Sequence, residues 1–447
     1  MIKYNCNLFL KEKSRRMNLK NKITTVATAM LALVSLSACS NKQEQSSSNK
    51  IPTKIEKKTT VTFWYSLTGS SKSALEKLTA DFEKKNPKID IKLQSQGGNY
   101  SDLQAKLTSS FQSPKNLPTI TQAYPGWLYN AAKNKLLVDL KPYITNKEIG
   151  WGSYAKTDIQ SGLWDGAKIN GVQYGVPFNK SVEVLFYNKT ILDKYHVKVP
   201  TNMEELKSAS QTIYQKSKHK ISGMGFDALN NYYMLSMKEK GYDFNSKINF
   251  SNSDSKKIIN YYADGVKAGY FMQAGTQKYM STPFDNGQVA MFIGSTANEA
   301  YIKQGLAKKY EYGVAARPSK MNVQQGTDIY MFNKATASQK SAAFMYLKFL
   351  ASKSSQLYWA QQTGYMPANT SVLNSDVYKA NKDSKIPAIL GETAKDLYFL
   401  PVTKNAISAY DQVNVNMQTI LAQASKKASW NSAVSTGKAK LDAAWKQ

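Results

Sequence analysis

The stretch VTFWYSLTGSSKSALEKLTADFEKKNPKIDIKL, Val61 to Leu93, changes its periodicity twice. Val61-Thr62-Phe63-Trp64-Tyr65 is β-branched and aromatic, and reads as a strand. Ser66 to Ser71 is a turn. Across Ser73–Lys85, Leu75, Leu78 and Phe82 recur at helical spacing with charges between them. Asn86-Pro87 stops that helix, and Ile89-Asp90-Ile91-Lys92-Leu93 alternates as a strand does. Strand, helix and strand in that order argue a parallel α/β unit.

The same alternation continues along the chain. Tyr100–Gln112 is amphipathic and helical. Thr119–Tyr124, Val184–Tyr187, Val289–Ile293 and Ile329–Phe332 are strand candidates, and Ser338–Ala351 is a strong helix. In parallel α/β sheets, ligands sit beyond the C-terminal strand ends. Those ends are Tyr124-Pro125-Gly126-Trp127, Gly294-Ser295-Thr296 and Gln325-Gly326-Thr327. They offer hydroxyls, rings and backbone N–H groups, and little acid–base machinery.

A chain of 447 residues is long enough for two lobes. Its 28 tyrosines against 16 phenylalanines suggest exposed rings with polar tips. The formal net charge is +29; up to Thr60 there are 12 Lys/Arg against 3 acids, which leaves +20 for the rest. That charge is dispersed over residues such as Lys72, Lys77, Lys84, Lys85, Lys88 and Lys92. It reads as a solvated surface near an anionic envelope, without the basic arm or RNA-binding motif of a nucleic-acid binder.

Residues 1–38 read as an export signal. Lys20 and Lys22 precede a run of 14 mostly apolar residues, Ile23–Leu36, shorter than the roughly 20 that a spanning helix needs. Leu36-Ser37-Ala38-Cys39 follows and resembles the lipobox of bacterial lipoprotein signals. That resemblance implies cleavage before Cys39 and a lipid thioether on its thiol. Lys11, Lys13, Arg15 and Arg16 lie ahead of Met17, a second candidate start giving a more usual signal length. Residues 39–60, rich in Ser, Lys and Gln, are expected to be a flexible tether.

Catalytic signatures are sparse. Cys6 and Cys39 are the two cysteines, so the body holds neither disulfide nor thiolate site. His196 and His219 sit in Lys-rich polar stretches without a ligand or nucleophile pattern beside them. No HExxH, GxSxG or Walker A sequence appears. Paired carboxylates brought together from distant loops stay open, which keeps a glycoside-acting surface enzyme as an alternative; a surface adhesin is another. No cofactor and no metal are expected.

Several segments, in order and spacing, resemble the extracellular solute-binding proteins of ABC importers. The resemblance is nearest to the glycerol-3-phosphate-binding branch of the family 1 carbohydrate-binding cluster. It rests on Phe63-Trp64-Tyr65-Ser66 with Gly69, on Gly98-Asn99-Tyr100, and on Pro177-Phe178-Asn179-Lys180-Ser181 running into Val184–Lys189. Phe284–Met291 and Gln362-Thr363-Gly364-Tyr365-Met366-Pro367 complete it. It covers Val61 to Gln447. It implies an α/β, two-lobe periplasmic-binding-protein-like clamp with a ligand cleft between the lobes. The lobes would be 61–178 plus 319–360 and 179–318 plus 361–447. The crossings would lie near Pro177–Ser181, Gly313–Pro318 and Gln361–Pro367.

Carried over position by position, the implied solute contacts are Tyr100, Ser181, Ser295, Gly326 and Tyr365. Tyr124, Trp127, Phe226 and Tyr233 are further candidates, the rings for stacking on a sugar face. Two departures stand out: Pro125 replaces an acid of that branch, and Ile407 or Ser408 replaces its arginine. Arginine is the natural bidentate partner of phosphate. The implied solute is therefore a sugar, a polyol or a glycerophosphate derivative, passed to ABC permease subunits at the outer face of the cell membrane.

Overall fold

The computed structural model describes residues 51–152, 158–394 and 397–446. The signal, Cys39 and the tether up to Lys50 lie outside the described residues. Ile51 and Ile55, inside the stretch read as tether, pack against the core, and β1 (Thr59–Tyr65) starts two residues before Val61. These two apolar residues, four positions apart, hold the segment on the body.

The quoted stretch folds as its periodicity predicts. α1 (Gly69–Lys85) buries Leu75, Leu78 and Phe82 and ends at Asn86, and β2 (Ile89–Ser95) follows. β1 pairs in parallel with β2 on one side and with β3 (Ile120–Ala123) on the other. α2 (Tyr100–Ser110) starts at Asn99, whose side chain accepts the backbone N–H of Asp102. That cap satisfies one of the orphan donors of the first turn and fixes where Tyr100 begins the helix.

A short hairpin, β4 (Lys168–Ile169) and β5 (Val172–Gln173), precedes the long strand β6 (Gly175–Asn188). β7 (Ser222–Phe226), β8 (Val289–Ser295), β9 (Tyr312–Ala316), β10 (Asn322–Met331) and β11 (Leu397–Tyr398) complete the strands. Among the described residues the main sheet runs β2-β1-β3-β10-β6-β8-β7, with β9 on β6 and β11 on β10. It is mixed, not parallel throughout. β10 runs antiparallel to both β3 and β6, and β6 antiparallel to β8 and β9.

β6 and β10 are the two long strands that tie the halves of this sheet together. β6 contacts β10 through residues 175–182 and β8 and β9 through residues 183–188. Residues 313–316, where a crossing was expected, lie within β9 beside the last residues of β6. The register of β6 against β10 shifts between Thr327 and Asp328, a bulge in the middle of the shared pair. A bulge locally raises twist and re-aims the side chains around it.

Apolar side chains gather on either side of that shared pair. Phe63, Leu75, Phe82, Phe344 and Trp359 pack around β1 and β2; Phe226, Tyr232, Tyr262 and Met291 pack around β7 and β8. The tyrosines do not follow the expectation of exposed rings. Tyr232, Tyr262, Tyr330, Tyr346 and Tyr378 are among the largest fully buried side chains. Each of three finds a partner for its hydroxyl: Tyr232 donates to Ile258 O, Tyr262 to Met272 O, and Tyr346 meets Thr79 Oγ1 at 2.6 Å. A satisfied phenol costs little to bury and adds ring area to the core.

Candidate functional site

Three elements converge at the middle of the sheet. α2 brings Tyr100, the end of β3 brings Tyr124, and the chain after the helix Lys353–Thr363 brings Tyr365. Asn179 of β6 donates to the Tyr100 hydroxyl at 2.7 Å, and that hydroxyl lies 3.1 Å from Tyr365 Oη. Asn179 is itself held by Gln122 Nε2 at 3.1 Å and Thr327 Oγ1 at 2.6 Å. The Tyr365 ring stacks on Trp359, centroids 5.7 Å apart and planes 15° apart. Every member of the network is positioned by a second buried contact.

Gly326 sits at the bulge with φ +85°, and a Cβ there would lie 1.9 Å from the Asn179 carbonyl oxygen. Only glycine permits that close approach of β10 to β6. The Gly326 N–H donates to the Tyr124 hydroxyl at 3.2 Å. Across the strand pair, Ser295 Oγ donates to Ser181 Oγ at 2.9 Å.

These groups surround a cavity of about 260 Å³. Of the nine solute-contact residues expected from the sequence, Tyr100, Tyr124, Ser181, Ser295, Gly326 and Tyr365 line it. Trp127 lines an adjoining cavity of about 770 Å³ that shares Tyr100, Tyr124 and Gln325 with the first. There its ring is tilted against Tyr124 at 5.1 Å. Phe226 and Tyr233 are elsewhere: both are buried in the core, Phe226 against Tyr232 and Tyr262, Tyr233 against Phe250 with its hydroxyl 2.8 Å from Ser255 Oγ. Phe226 is the last residue of β7, and the helix Leu229–Glu239 turns Tyr233 inward. The two residues between these elements, Asp227 and Ala228, reach the cavity instead.

Sequence reasoning missed Asp227, Asn298, Tyr279, Tyr301 and Ser66, all of which line the cavity. Asp227 follows the end of β7, where ligand loops of α/β sheets sit, and its place after Phe226 is the signal the sequence carries for it. Asp227 Oδ1 accepts the Met280 N–H at 2.6 Å and Oδ2 accepts Asn298 Nδ2 at 2.6 Å. Burial pushes its carboxyl up to about 7, against the lowering effect of those two donors. Burial also holds the Tyr100 and Tyr124 phenols far above neutrality, so both remain hydrogen-bond donors. Ser66 and Gln325 line the cavity, and Ser66 Oγ and Gln325 Oε1 are buried with no hydrogen-bond partner among the described residues.

Two hydrogen bonds join the segments flanking the cavities. Thr68 Oγ1 lies 3.0 Å from the hydroxyl of Tyr301, and Gln104 Nε2 donates to Asp411 Oδ2 at 3.1 Å. The first links the β1–α1 turn to the helix Asn298–Gly305; the second links α2 to the helix Ala406–Ser425. Among the described residues no group of three His, Cys, Asp or Glu could hold a metal ion.

A sheet in two halves, tied by two shared strands, with a hydroxyl-lined cavity at the tie, defines a two-lobe α/β solute-binding clamp. The chain belongs to the bacterial extracellular solute-binding protein family, which it matches over residues 77–388. The sn-glycerol-3-phosphate-binding periplasmic protein of Salmonella typhimurium is 24% identical over 332 residues, covering 70% of this chain and 75% of that protein. The corresponding protein of Escherichia coli K12 is 24% identical over 335 residues, covering 69% and 74%.

Solved structures share the fold. UgpB of Mycobacterium tuberculosis, solved in complex with glycerophosphocholine, superposes with a TM-score of 0.75 at 17% identity, covering 87% of this chain and 98% of that one. The GacH receptor of Streptomyces glaucescens gives 0.73 at 21% identity, covering 87% and 98%. Maltose-bound MalE3 of T. maritima gives 0.70 at 18% identity, covering 86% and 98%.

Proposed function

We propose that this protein is the lipid-anchored receptor of an ABC importer, capturing a small polar solute of the sugar, polyol or glycerophosphate type outside the cell. The observation that carries this reading is the cavity at the shared strands. Ser66, Ser181, Ser295, Tyr100 and Tyr365 line it with their hydroxyl-bearing side chains, and among the described residues Ser66 Oγ and Gln325 Oε1 lack a protein partner. A cavity of this kind gains from a polyhydroxylated guest that completes its hydrogen bonds. The relatives named above that bind glycerol 3-phosphate, glycerophosphocholine and maltose support the same solute range.

Binding without turnover fits the chemistry of the lining. Among the described residues Asp227 is the one acid that lines this cavity. Glycoside hydrolysis needs two carboxyl groups flanking the bond. The expected solute contacts Tyr100, Tyr124, Ser181, Ser295, Gly326 and Tyr365 hold the guest, while Trp127 serves a longer solute from the adjoining cavity. Closure of the two lobes around the solute is the state the permease reads, a shift of population in favour of the shut form. Cys39 carries the lipid that keeps the receptor at the membrane.

Calorimetric titration with glycerol 3-phosphate, glycerophosphocholine, glycerol, glucose and maltose tests the reading. Saturable one-to-one binding of at least one member, with no chemical change in it, is expected. Absence of binding across the panel, or conversion of any member to product, would refute it.

A further inference from the structure

Asp227 is the one charged group in the lining of the cavity; no lysine, arginine or histidine among the described residues lines it. The nearby cations are already committed. Lys180 Nζ lies 2.6 Å from Asp328 Oδ1, and Arg317 Nε donates to Glu183 Oε2 at 3.0 Å, all four side chains being buried. In the adjoining cavity Lys168 is paired with Asp165 at 2.6 Å. Among the described residues the first cavity thus lacks a cation to neutralise a phosphate, and the adjoining one offers only Lys168, in an exposed pair with Asp165.

The carboxyl is built in. The Asp227 N–H donates to Ile293 O at 2.9 Å, which continues the β7–β8 pairing by one residue. Gly294 makes room: a Cβ there would lie 2.5 Å from both Asp227 Oδ2 and Asn298 Nδ2. Each carboxyl oxygen accepts one protein hydrogen bond and keeps one acceptor position. Asp227 shares the cavity lining with Ser66 and Gln325, whose Oγ and Oε1 have no hydrogen-bond partner among the described residues.

We propose that Asp227 is a specificity-determining contact that accepts hydroxyl groups of an uncharged polyhydroxylated solute and turns away phosphorylated ones. The proposal rests on the receptor reading above and narrows its solute class. A carboxylate accepts strongly from a sugar hydroxyl, and a like charge opposed to a phosphate in a site of low dielectric is repulsive. Specificity then arises from a repulsive element as much as from an attractive one.

The test measures binding of two probe sets at pH 8 to the wild type and to Asp227→Asn, with Asp227→Ala as a second variant and melting curves for each. Glycerol, glucose, maltose and maltotriose are the neutral set; glycerol 3-phosphate and glucose 6-phosphate are the anionic set. In Asp227→Asn the amide oxygen can still accept from Met280, and Asn298 can turn its own amide to meet the new NH2. We expect the wild type to favour a neutral probe, and Asp227→Asn to weaken that probe about tenfold. The same variant is expected to strengthen the anionic set several-fold. A purely structural role would weaken both sets together, and that result would overturn the proposal. Tighter wild-type binding of an anionic probe than of any neutral one would overturn it too, while leaving the receptor reading standing. No binding by either set would overturn both.

Discussion

Lys180 and Asp328 form an ion pair with no access to water: Nζ lies 2.6 Å from Oδ1, with side-chain exposures of 1% and 0%. The two residues belong to β6 and β10, the strands shared by both halves of the sheet, and Asp328 adjoins the bulge. Lys180 Nζ also points at Gly326 O, 3.4 Å away. Two desolvated charges hold their mutual geometry here, and that geometry sets where the solute-contact residues stand.

Removing one partner leaves the other charge buried alone. Lys180→Met should cost about 3–5 kcal/mol in urea unfolding, whereas Lys180→Met with Asp328→Leu should recover most of that loss. A single variant as stable as the wild type would show that the pair has no structural role.

Tyr365→Phe keeps the stack on Trp359 and removes the hydroxyl that meets Tyr100. Stability should change by less than about 1 kcal/mol, and affinity for whichever solute binds should fall about three- to tenfold. Truncation to Ala is a harsher change, because Tyr365 is buried and its ring is part of the core. Unaltered affinity in Tyr365→Phe would remove the hydroxyl from the site.

At Gly326 both conformation and space forbid a side chain. Gly326→Ala should cost about 2–4 kcal/mol, from the positive φ and from the approach of its Cβ to the Asn179 carbonyl. The melting temperature reports this directly; a value within a degree of wild type would contradict the close packing of β6 on β10.

Asp285 is buried, its Oδ1 has no partner among the described residues, and burial pushes its carboxyl up to about 7. The folded state keeps this proton after the unfolded chain, with an ordinary carboxyl near 3.8, has lost its own. Stability from this group is therefore greatest at acid pH and falls as pH rises between about 4 and 7. Asp285→Asn should stabilise the protein by about 1–2 kcal/mol at pH 8 and flatten that slope. Melting temperatures of the two proteins at pH 5 and pH 8 decide it; parallel pH profiles would exclude Asp285 as the cause.

Cys39 ends the lipobox-like segment Leu36–Cys39, and on the proposed reading its thiol takes the lipid. Cys39→Ala should move the protein from the membrane fraction to the medium on fractionation of expressing cells. Retention of the variant in membranes would rule out lipid attachment at this residue.

The alternation of period 2 and period 3.6 in Val61–Leu93 determines β1, α1 and β2, because each element buries one face of itself and needs only local spacing to do so. Turn residues at strand ends likewise pointed to Tyr124 and Ser295, whereas Gly326, read as a strand end, lies within β10 at its bulge. What local pattern could not reveal is which ring faces a cavity and which faces the core. Phe226 and Asp227 are neighbours, yet one packs beneath Tyr262 and the other meets Asn298, a residue 71 positions away. The same holds for the charges. A row of lysines in the sequence says nothing about whether Lys180 will be free to meet a phosphate, and its burial against Asp328, 148 residues on, is what withdraws it. Contacts of that range depend on how β6 and β10 lie side by side, so tertiary structure alone decided the polarity of the site.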